Sequence, residues 1–397
     1  MKRLRLAYFG FAFPPGVHAQ FPDVNPAGHG FESAMGVELA MSFDVRYVGW
    51  MPFAIPGAPA DADPKSGIPH ALTLVERNPR TWFDWRAAAK LKRTLRQWKA
   101  AGWEPDLMLV YNLSPVYNLV VKWLARHFPR TVRVLLLLDS SRLGEPISAL
   151  KEIRYRFKPM FVQDWDMLRE FDACIGLSRE VAGYFASTNT PFLWMPGGCT
   201  TGEEKEGART FGERTGSRLR FGYFGAFGDH AGLWSLASAF SQSSLDHELH
   251  IAGHGGGAGR FEELARRDSR VRFHGFLARE DVLNFGRSCD VLVNPRPPGY
   301  GNQNSFPSKL FNYALCGRSI LSTRLSGVDE VIGPEGYYID AARFKQDLVA
   351  QLVLVGKQPR TELDRRGGII RNRVVSEYNW KAQGARICRF MSGLPAR

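Results

Sequence analysis

The stretch Asp290–Gly327, DVLVNPRPPGYGNQNSFPSKLFNYALCGRSILSTRLSG, contains a strand, a polar loop, a helix and a second strand in succession. An apolar run leads into a loop rich in proline and asparagine, and a helical pattern follows until Gly317 ends it before the next apolar run. Pro307 suits a first helical turn, and Ser305 or Ser308 suits the capping position. The order is typical of a parallel α/β sheet.

The same alternation of short apolar runs and helical segments extends through both halves of the chain. Runs that predict buried strands are LRLAYFGFAF, FDVRYVGW, DLMLVYNL, VRVLLLLD, ACIGLS and FLWMPGG in the first half, and LRFGYFGAFG, ELHIAGHGGG, VRFHGFL and CDVLVNPRP in the second. We therefore predict an α/β fold with two Rossmann-like, doubly wound parallel-sheet domains that face each other across a cleft. Ligands of such sheets bind at the carboxyl ends of the strands.

Residues 201–217, TGEEKEGARTFGERTGS, are rich in glycine and charge and lack apolar periodicity, which predicts a linker. The predicted boundaries are 1–199 for an N-terminal acceptor domain, 200–217 for the linker, 218–375 for a C-terminal donor domain, and 376–397 for a terminal helix that packs back on the first domain.

Composition limits the class of protein. The chain has 397 residues, 44% of them apolar, and no stretch is long and apolar enough to cross a bilayer. Its five cysteines are scattered without metal-ligand spacing, which favours a reducing cytoplasm. Basic residues exceed acidic ones by 52 − 39 = 13, so a polyanionic partner is expected: a phosphorylated ligand, an anionic membrane surface or nucleic acid.

The segment Arg86–Lys99 contains six basic residues and no acidic one. Ala88, Leu91 and Leu95 share one side of the predicted helix, and most of the positive charge lies on the other. The pattern has two interpretations: the solvated face of a packed helix, or a peripheral contact with acidic lipid headgroups at the inner face of a membrane.

Several loops that follow predicted strands carry residues suited to phosphate. Gly225 and Gly228 follow one strand, where they either allow close approach of a phosphate or form a plain tight turn. Gly253 and His254 end another strand, in a loop that either binds the donor or is simply a surface loop. Lys309 and Arg296 flank the predicted helix start, where charge-assisted bonds would hold a diphosphate.

The run DVLVNPRPPGYGNQNSFPSKLFNYALCGRSILSTRLSGVDEVI resembles the donor-binding segment of GT-B glycosyltransferases, particularly the retaining family-four type, which use nucleotide-diphosphate sugars. The motifs YFGAFG, LHIAGHGGG, LWMPGG and YNW occur in the expected order. The resemblance covers Arg218 to Trp380 well and the first domain only in outline. It is specific for the fold and for nucleotide-sugar binding, but much less so for the sugar.

Residue by residue, the resemblance implies that the diphosphate and donor sugar lie against Ser305, Phe306, Pro307, Ser308 and Lys309. Asn304 and Asn312 occupy positions where the family usually has glutamates. The family also carries an arginine and a lysine around the loop that here reads GAFGDHAG, and both are absent. Lys309 and Arg296 are the expected substitutes that neutralise the leaving diphosphate, with His230 as a further candidate.

The resemblance also assigns candidates in the first domain. Gly28, His29 and Gly30 precede the predicted helix SAMGVELAMSF, in a loop that approaches the diphosphate from the other side. His29 either makes a polar contact there or only orders the loop. Asp139 ends the strand VLLLLDSS and either faces the donor or acceptor hydroxyl or caps a helix.

The predicted activity is metal-independent transfer of a sugar from a nucleotide-diphosphate sugar to a hydroxyl, with retention, in the biosynthesis of cell-surface polysaccharides or lipid-linked glycans. One alternative is a non-catalytic nucleotide-sugar-binding protein on the same fold. A nucleic-acid-binding protein is the other alternative, but basic residues interleaved with aromatics, or a known reading motif, are missing from the sequence.

Overall fold

The computed structural model describes residues 3–10, 26–51, 70–75, 83–138, 140, 165–200, 209–278, 280–299 and 301–397. It divides the chain into two compact units. The first comprises Met1–Leu177, Val181–Met195 and Trp380–Arg397, and the second comprises Ser178–Glu180 and Pro196–Asn379. The chain therefore changes unit a few residues before the predicted boundary at 199, and again at Trp380.

The first unit is built on a parallel sheet. Its strands are β1 (Arg5–Gly10), β2 (Asp44–Met51), β3 (His70–Val75), β4 (Leu107–Tyr111), β5 (Val132–Leu137), β6 (Ala173–Gly176) and β7 (Phe192–Trp194). All pair in parallel, in the order β3-β2-β1-β4-β5-β6-β7. The helices that precede the second unit are α1 (Pro26–Ser42), α2 (Phe83–Ala100), α3 (Pro115–His127) and α4 (Ala182–Phe185).

Apolar residues cover both faces of this sheet. Ala7 and Phe9 of β1 point into one hydrophobic cluster with α2 and α3, whereas Leu6 and Tyr8 point into another with α1. Because successive side chains of a strand face opposite ways, only a continuous apolar run fills both clusters. The runs quoted from the sequence are thus explained by burial on two sides.

The second unit repeats the plan with β8 (Arg220–Ala226), β9 (Glu248–His254), β10 (Val271–Phe273), β11 (Val291–Asn294), β12 (Ser319–Thr323) and β13 (Tyr337–Ile339). Its parallel sheet has the order β10-β9-β8-β11-β12-β13. The helices are α5 (Leu233–Gln242), α6 (Ala258–Arg267), α7 (Val282–Arg287), α8 (Lys309–Leu315), α9 (Val328–Ile332), α10 (Phe344–Gly356) and α11 (Arg360–Glu377).

Each sheet has a topological switch point. Strand order runs outward in one direction from β8 to β10 and in the other from β11 to β13, so β8 and β11 are neighbours whose connections leave in opposite directions. The loops after these two strands separate and leave a crevice at their carboxyl ends, which is where open α/β sheets bind ligands. In the second unit this crevice lies between the loops after Ala226 and Asn294.

The last helix, α12 (Trp380–Ser392), belongs to the first unit. Ile387, Cys388 and Met391 join the hydrophobic cluster of α1. Gly384 lies so close to α1 that a Cβ atom there would be 2.4 Å from Cβ of Glu38. Among the described residues, no helix combines the length and the apolar content that a membrane span requires.

One helix boundary differs from the sequence prediction. Gly28, His29 and Gly30 were expected in a loop, but α1 begins at Pro26 and contains all three. Proline fits a first helical turn because the amide hydrogen that it lacks has no partner there. The loop prediction is therefore wrong for these residues, and they lie in the first turns of a helix.

Part of the predicted linker is anchored to the second unit through Asp290. This carboxylate is fully buried, and its Oδ1 atom accepts from Arg214 at 2.9 Å and from Arg360 at 3.0 Å. Its Oδ2 atom accepts from the backbone amide of Arg220 at 2.7 Å. One buried charge thus joins the linker, the first strand of the second sheet and α11.

Replacing Asp290 by asparagine should destabilise the second unit by about 2–3 kcal/mol, because two arginines lose their shared counter-charge. Chemical denaturation of the full chain measures this change. Asp246→Asn is the matched control: Asp246 pairs with Arg218 at the surface with 74% of its side chain exposed. That control should change the free energy of unfolding by less than about 0.5 kcal/mol; equal losses in both variants would contradict the assigned role.

Candidate functional site

The candidate site lies at the switch point of the second sheet, where a lysine from α8 reaches back to β8. Lys309 is the first residue of α8. Its Nζ atom donates to the hydroxyl of Tyr223 at 2.7 Å and lies 4.1 Å from the centre of that ring. The tyrosine hydroxyl donates in turn to the carbonyl oxygen of Ala226 at 2.8 Å. The lysine is thereby fixed over the carboxyl end of β8.

Arg296 brings a second positive charge to the same place. It follows β11 and donates to Oγ of Ser305 at 3.3 Å. Its Nε atom is buried and has no hydrogen-bond partner among the described residues. Burial lowers the pKa of Arg296, and the nearby Tyr223 opposes that change. The guanidinium therefore retains an unused donor next to the lysine.

Within the described part of the chain, no carboxylate balances the two cations. Neither Lys309 nor Arg296 forms an ion pair with any residue that the structure describes. Burial and, to a smaller extent, the charge of Arg296 together lower the pKa of Lys309 to about 7. The lysine is then about half protonated at neutral pH, and an anion that binds beside it would restore its charge.

His230 lies within electrostatic range of both cations. Its pKa is lowered, first by burial and then by the charges of Arg296 and Lys309, while Asp229 acts in the opposite direction. Its backbone carbonyl accepts from the buried side chain of Asn302 at 2.9 Å, which ties the two loops together. The neutral imidazole is available as a polar contact at the cation cluster.

A cavity of about 240 Å³ opens beside Lys309. Its lining is mostly apolar and consists of Phe224, Gly225, Ala226, Ala252, Gly253, His254, Phe276, Leu277, Val282, Lys309 and Asn312. Phe276 is 70% exposed, and its ring centre lies 5.0 Å from that of His254. The cavity therefore has a cationic end at Lys309 and an aromatic end at Phe276.

Two glycines keep this cavity open. Gly225 has φ 140°, and a Cβ atom there would be 3.1 Å from Nζ of Lys309. Gly253 has φ 141°, and a Cβ atom there would be 1.9 Å from the carbonyl oxygen of Gly225. A larger residue at either position would be strained and would block the approach between the strand ends.

The structure brings together some of the residues predicted from the sequence. Those that line the cavity are Gly225, Gly253, His254, Lys309 and Asn312. Arg296 and Ser305 join them through the contacts given above. Asn304 is buried in a 3₁₀ turn, and Gly228 lies against the ring of His230 rather than on the cavity wall.

The remaining predicted residues are elsewhere. Phe306 is buried with its ring centre 5.5 Å from that of Phe311, Pro307 is also buried, and Ser308 is exposed. Gly28, His29 and Gly30 belong to α1 of the first unit. Asp139 lies outside the described residues.

The expected helix start also differs in detail. Ser308 has φ −54° and ψ −22°, which is already helical, and its side chain makes no capping bond. Ser305 accepts from Arg296 instead. Neither serine was found capping α8, and this helix has only seven residues. An anion at this place would therefore be held by side-chain cations more than by a helix dipole.

Sequence reasoning missed Tyr223 and Phe276. Tyr223 was treated as one more residue of a buried strand, although a tyrosine hydroxyl inside a strand end requires a polar partner. Phe276 stands in VRFHGFL, directly after a glycine and past the end of β10, where an aromatic ring is not needed for the core. Both residues are visible in the sequence, but only their contacts in the structure place them at the cavity.

Comparison with known proteins agrees with this geometry. Residues 218–357 match the family model of glycosyl transferases group 1. No curated protein sequence matches the chain. The family match therefore covers the parallel sheet of the second unit, and the prediction of a transferase is confirmed at that level.

Solved structures resemble the whole chain. Sucrose-phosphate synthase from Thermosynechococcus elongatus has a TM-score of 0.61 at 16% identity and covers 99% of both chains. Anabaena HepE in complex with UDP and glucose has a TM-score of 0.60 at 13% identity, covering 99% of this chain and 100% of that one. The lipopolysaccharide outer core galactosyltransferase WaaB has a TM-score of 0.62 at 12% identity, covering 98% and 99%. At these identities the likeness shows the fold, and the predicted GT-B architecture of two parallel α/β domains is confirmed.

Lys309→Met should stabilise the ligand-free protein. Folding lowers the pKa of Lys309 from 10.5 to about 7, so the unfolded chain binds more protons between these values and the stability contributed by this position rises with pH. The variant should melt a few degrees above the wild type at pH 7, and the difference should shrink towards pH 10.

Thermal unfolding across this pH range checks the effect, with Lys345→Met, an exposed lysine of α10, as the control. A variant less stable than the wild type at pH 7, or a difference independent of pH, would contradict the assignment.

Proposed function

We propose that this protein transfers a sugar from a nucleotide-diphosphate sugar to a hydroxyl acceptor. The observation that carries the proposal is the pair of cations, Lys309 and Arg296, held beside Tyr223 without a carboxylate partner among the described residues. A diphosphate supplies the missing negative charge in charge-assisted hydrogen bonds. The match of residues 218–357 to glycosyl transferases group 1 supports the same ligand class.

The cavity suggests how such a donor lies. Three strand spacings separate β10 from β11, or about 14 Å across the sheet edge. Phe276 follows the first of these strands and Arg296 follows the second. This span is comparable with the length of an extended nucleoside diphosphate. We therefore expect the base against Phe276 and His254, and the phosphates against Lys309 and Arg296.

The cations account for the chemistry at the donor. Cleavage of the bond between the sugar and the β-phosphate leaves a new negative charge on the phosphate oxygen. Lys309, recharged by the bound diphosphate, and Arg296 stabilise that charge electrostatically, and His230 offers a further polar contact. We expect turnover without a divalent metal, because these side chains bear the charge that a metal would otherwise bear.

Retention of anomeric configuration is part of the proposal. The leaving phosphate accepts the proton of the acceptor hydroxyl on the same face of the sugar, and the protein contributes positioning and electrostatics. The acceptor is proposed to be a hydroxyl of a cell-surface polysaccharide or a lipid-linked glycan. One structural neighbour, WaaB, is a lipopolysaccharide outer core galactosyltransferase. Gly28, His29, Gly30 and Asp139 remain candidates for contacts from the first domain.

The proposed compartment is the cytoplasm. All five cysteines are free and buried. Burial raises the pKa of Cys289 and Cys316 to about 12, so their thiols stay protonated and unreactive. Free structural thiols are typical of a reducing compartment.

Removing either cation should impair donor use. We expect Lys309→Met and Arg296→Met each to weaken nucleoside-diphosphate binding by about 10–100-fold. The turnover number should fall by about 100-fold or more, because the leaving charge loses a partner. Calorimetry with nucleoside diphosphates and a product assay over a panel of nucleotide sugars measure the two effects.

Lys345→Met is the control and should leave both quantities unchanged. Turnover is also measured with EDTA present, and loss of activity there would contradict metal independence. The anomeric configuration of the product is determined by NMR, and an inverted product would contradict retention. Binding without turnover for every donor would favour the non-catalytic binder. Wild-type affinity in both cation variants would contradict the site itself.

Phe276→Ala tests the orientation of the donor. Loss of the ring should weaken nucleoside diphosphates by about 10–100-fold, since stacking on an aromatic contributes about 1–3 kcal/mol per base. Inorganic pyrophosphate, which has no base, should bind as it does to the wild type. Phe276→Tyr keeps the ring and should keep nucleotide affinity; an equal loss for pyrophosphate and nucleotide would show that Phe276 acts only on the structure of the cavity.

A further inference from the structure

The basic segment found in the sequence is part of a larger surface on the first unit. Its exposed cations lie on α2 and α3 and in the turn that follows, and we call them the basic face: Arg86, Lys90, Arg93, Arg96, Lys122, Arg126 and Arg130. Arg86, Lys90 and Arg93 recur at spacings of four and three, so they share one side of α2. Lys122 and Arg126 are four apart on α3.

Among the side chains that the structure describes, no carboxylate balances the charge of the basic face. From Arg86 to Arg130 the sequence has nine lysines and arginines but only two carboxylates, Glu104 and Asp106. Glu104 pairs with Lys99 at 3.1 Å, and Asp106 accepts from the backbone amide of Arg5 at 2.8 Å. None of the seven cations of the basic face forms an ion pair with a residue that the structure describes.

Ion pairing is more frequent in the second unit. Most arginines of the second unit have a carboxylate partner, as in the pairs of Arg270 with Asp268 and Arg365 with Glu362. Several exposed arginines of the second unit are thus paired with carboxylates. The basic face instead groups seven exposed cations on α2, α3 and the following turn without such a pair among the described residues, and it keeps a local positive potential.

Direct contacts join the two helices, and we call the joined pair the platform. The guanidinium of Arg96 lies 5.0 Å from the ring centre of Trp123, and that ring stacks on His127 at 4.3 Å with an angle of 21°. Lys99 donates to the backbone carbonyl of His127 at 3.2 Å. Leu91 and Leu95 of α2 share the hydrophobic cluster beneath with α3. The cations are therefore presented on a preformed surface.

An aromatic side chain stands at the beginning of this platform. Trp85 is 64% exposed, although a tryptophan normally loses most of its surface in a folded domain. Tryptophan prefers the boundary between lipid headgroups and water, where its apolar ring and its N–H group are both accommodated. Basic residues beside an exposed tryptophan suit a contact with the headgroup region of an anionic membrane.

We propose that the basic face binds the surface of an anionic phospholipid bilayer. The cations pair with headgroup phosphates, and Trp85 inserts at the headgroup level. This contact lies in the first unit and uses no residue of the cavity at Lys309. It therefore stands independently of the proposed donor chemistry, and it would hold the protein where lipid-linked acceptors occur.

Vesicle sedimentation with the full chain tests the proposal. Binding is expected to vesicles with about 30% phosphatidylglycerol in phosphatidylcholine and not to phosphatidylcholine alone, and it should weaken from about 50 mM to about 500 mM salt. The triple variant Arg86→Gln, Lys90→Gln, Arg93→Gln should lower the partition coefficient by about 100-fold. Trp85→Ala should also weaken binding, whereas Trp85→Phe should weaken it less.

The matched control removes three exposed arginines of the second unit, Arg266→Gln, Arg267→Gln and Arg343→Gln, and should bind vesicles as the wild type does. All variants are first checked for an unchanged melting temperature and unchanged nucleoside-diphosphate affinity. Equal binding of the two triple variants, equal binding to neutral vesicles, or preferential binding of the basic face to duplex DNA over anionic vesicles would overturn the proposal.

Discussion

The candidate site is organised around two positive charges that the fold of the second unit holds without a carboxylate partner among the described residues. Lys309 and Arg296 meet at Tyr223, and burial there disfavours their charged forms. A protein gains no stability from such an arrangement, because an uncompensated charge in a partly dry site is unfavourable. The arrangement makes physical sense if a ligand supplies the missing anion. Sites that bind and react often carry this kind of local instability.

The sheet explains why the charges meet at this place. The crevice between β8 and β11 is a consequence of strand order alone, and it lies at the carboxyl ends of the strands. Gly225 and Gly253 have no side chains at the strand ends, so Lys309 of α8 can reach over β8. The apolar wall towards Phe276 then suits the uncharged part of a ligand whose charged part is at Lys309. The fold, the glycine positions and the charges therefore all suit a ligand with one anionic end and one uncharged end.

The sequence predicted most of the architecture because both sheets are buried on two faces. Runs such as VRVLLLLD are typical of central strands, and Gly317, with φ 66°, follows the helix that it was predicted to end. Several residues that the sequence places at strand ends, including Gly253 and His254, line the cavity in the structure. Local pattern is sufficient where a residue's role follows from its place along one strand or loop.

Other features depend on contacts between distant residues, and these could not be predicted. Tyr223 becomes a site residue only because Lys309, 86 positions later, donates to it. Ser308 has the chemistry of a cap but already has helical backbone angles, so its side chain makes no capping bond. The basic helix α2 was ambiguous by itself, and the cations of α3 beside it were needed to show that the charge extends over a surface. The linking role of Asp290 cannot be predicted from the sequence, because its three partners come from separate segments.

In the proposed donor complex, Lys309 regains its proton when a diphosphate binds. Calorimetric titration of a nucleoside diphosphate at pH 8, in buffers of different ionisation enthalpy, counts the protons taken up by the complex. With a pKa of about 7 in the empty site, Lys309 should add close to one proton per bound ligand relative to Lys309→Arg, whose charge is permanent. Identical proton uptake by the two proteins, with both binding the ligand, would contradict the account.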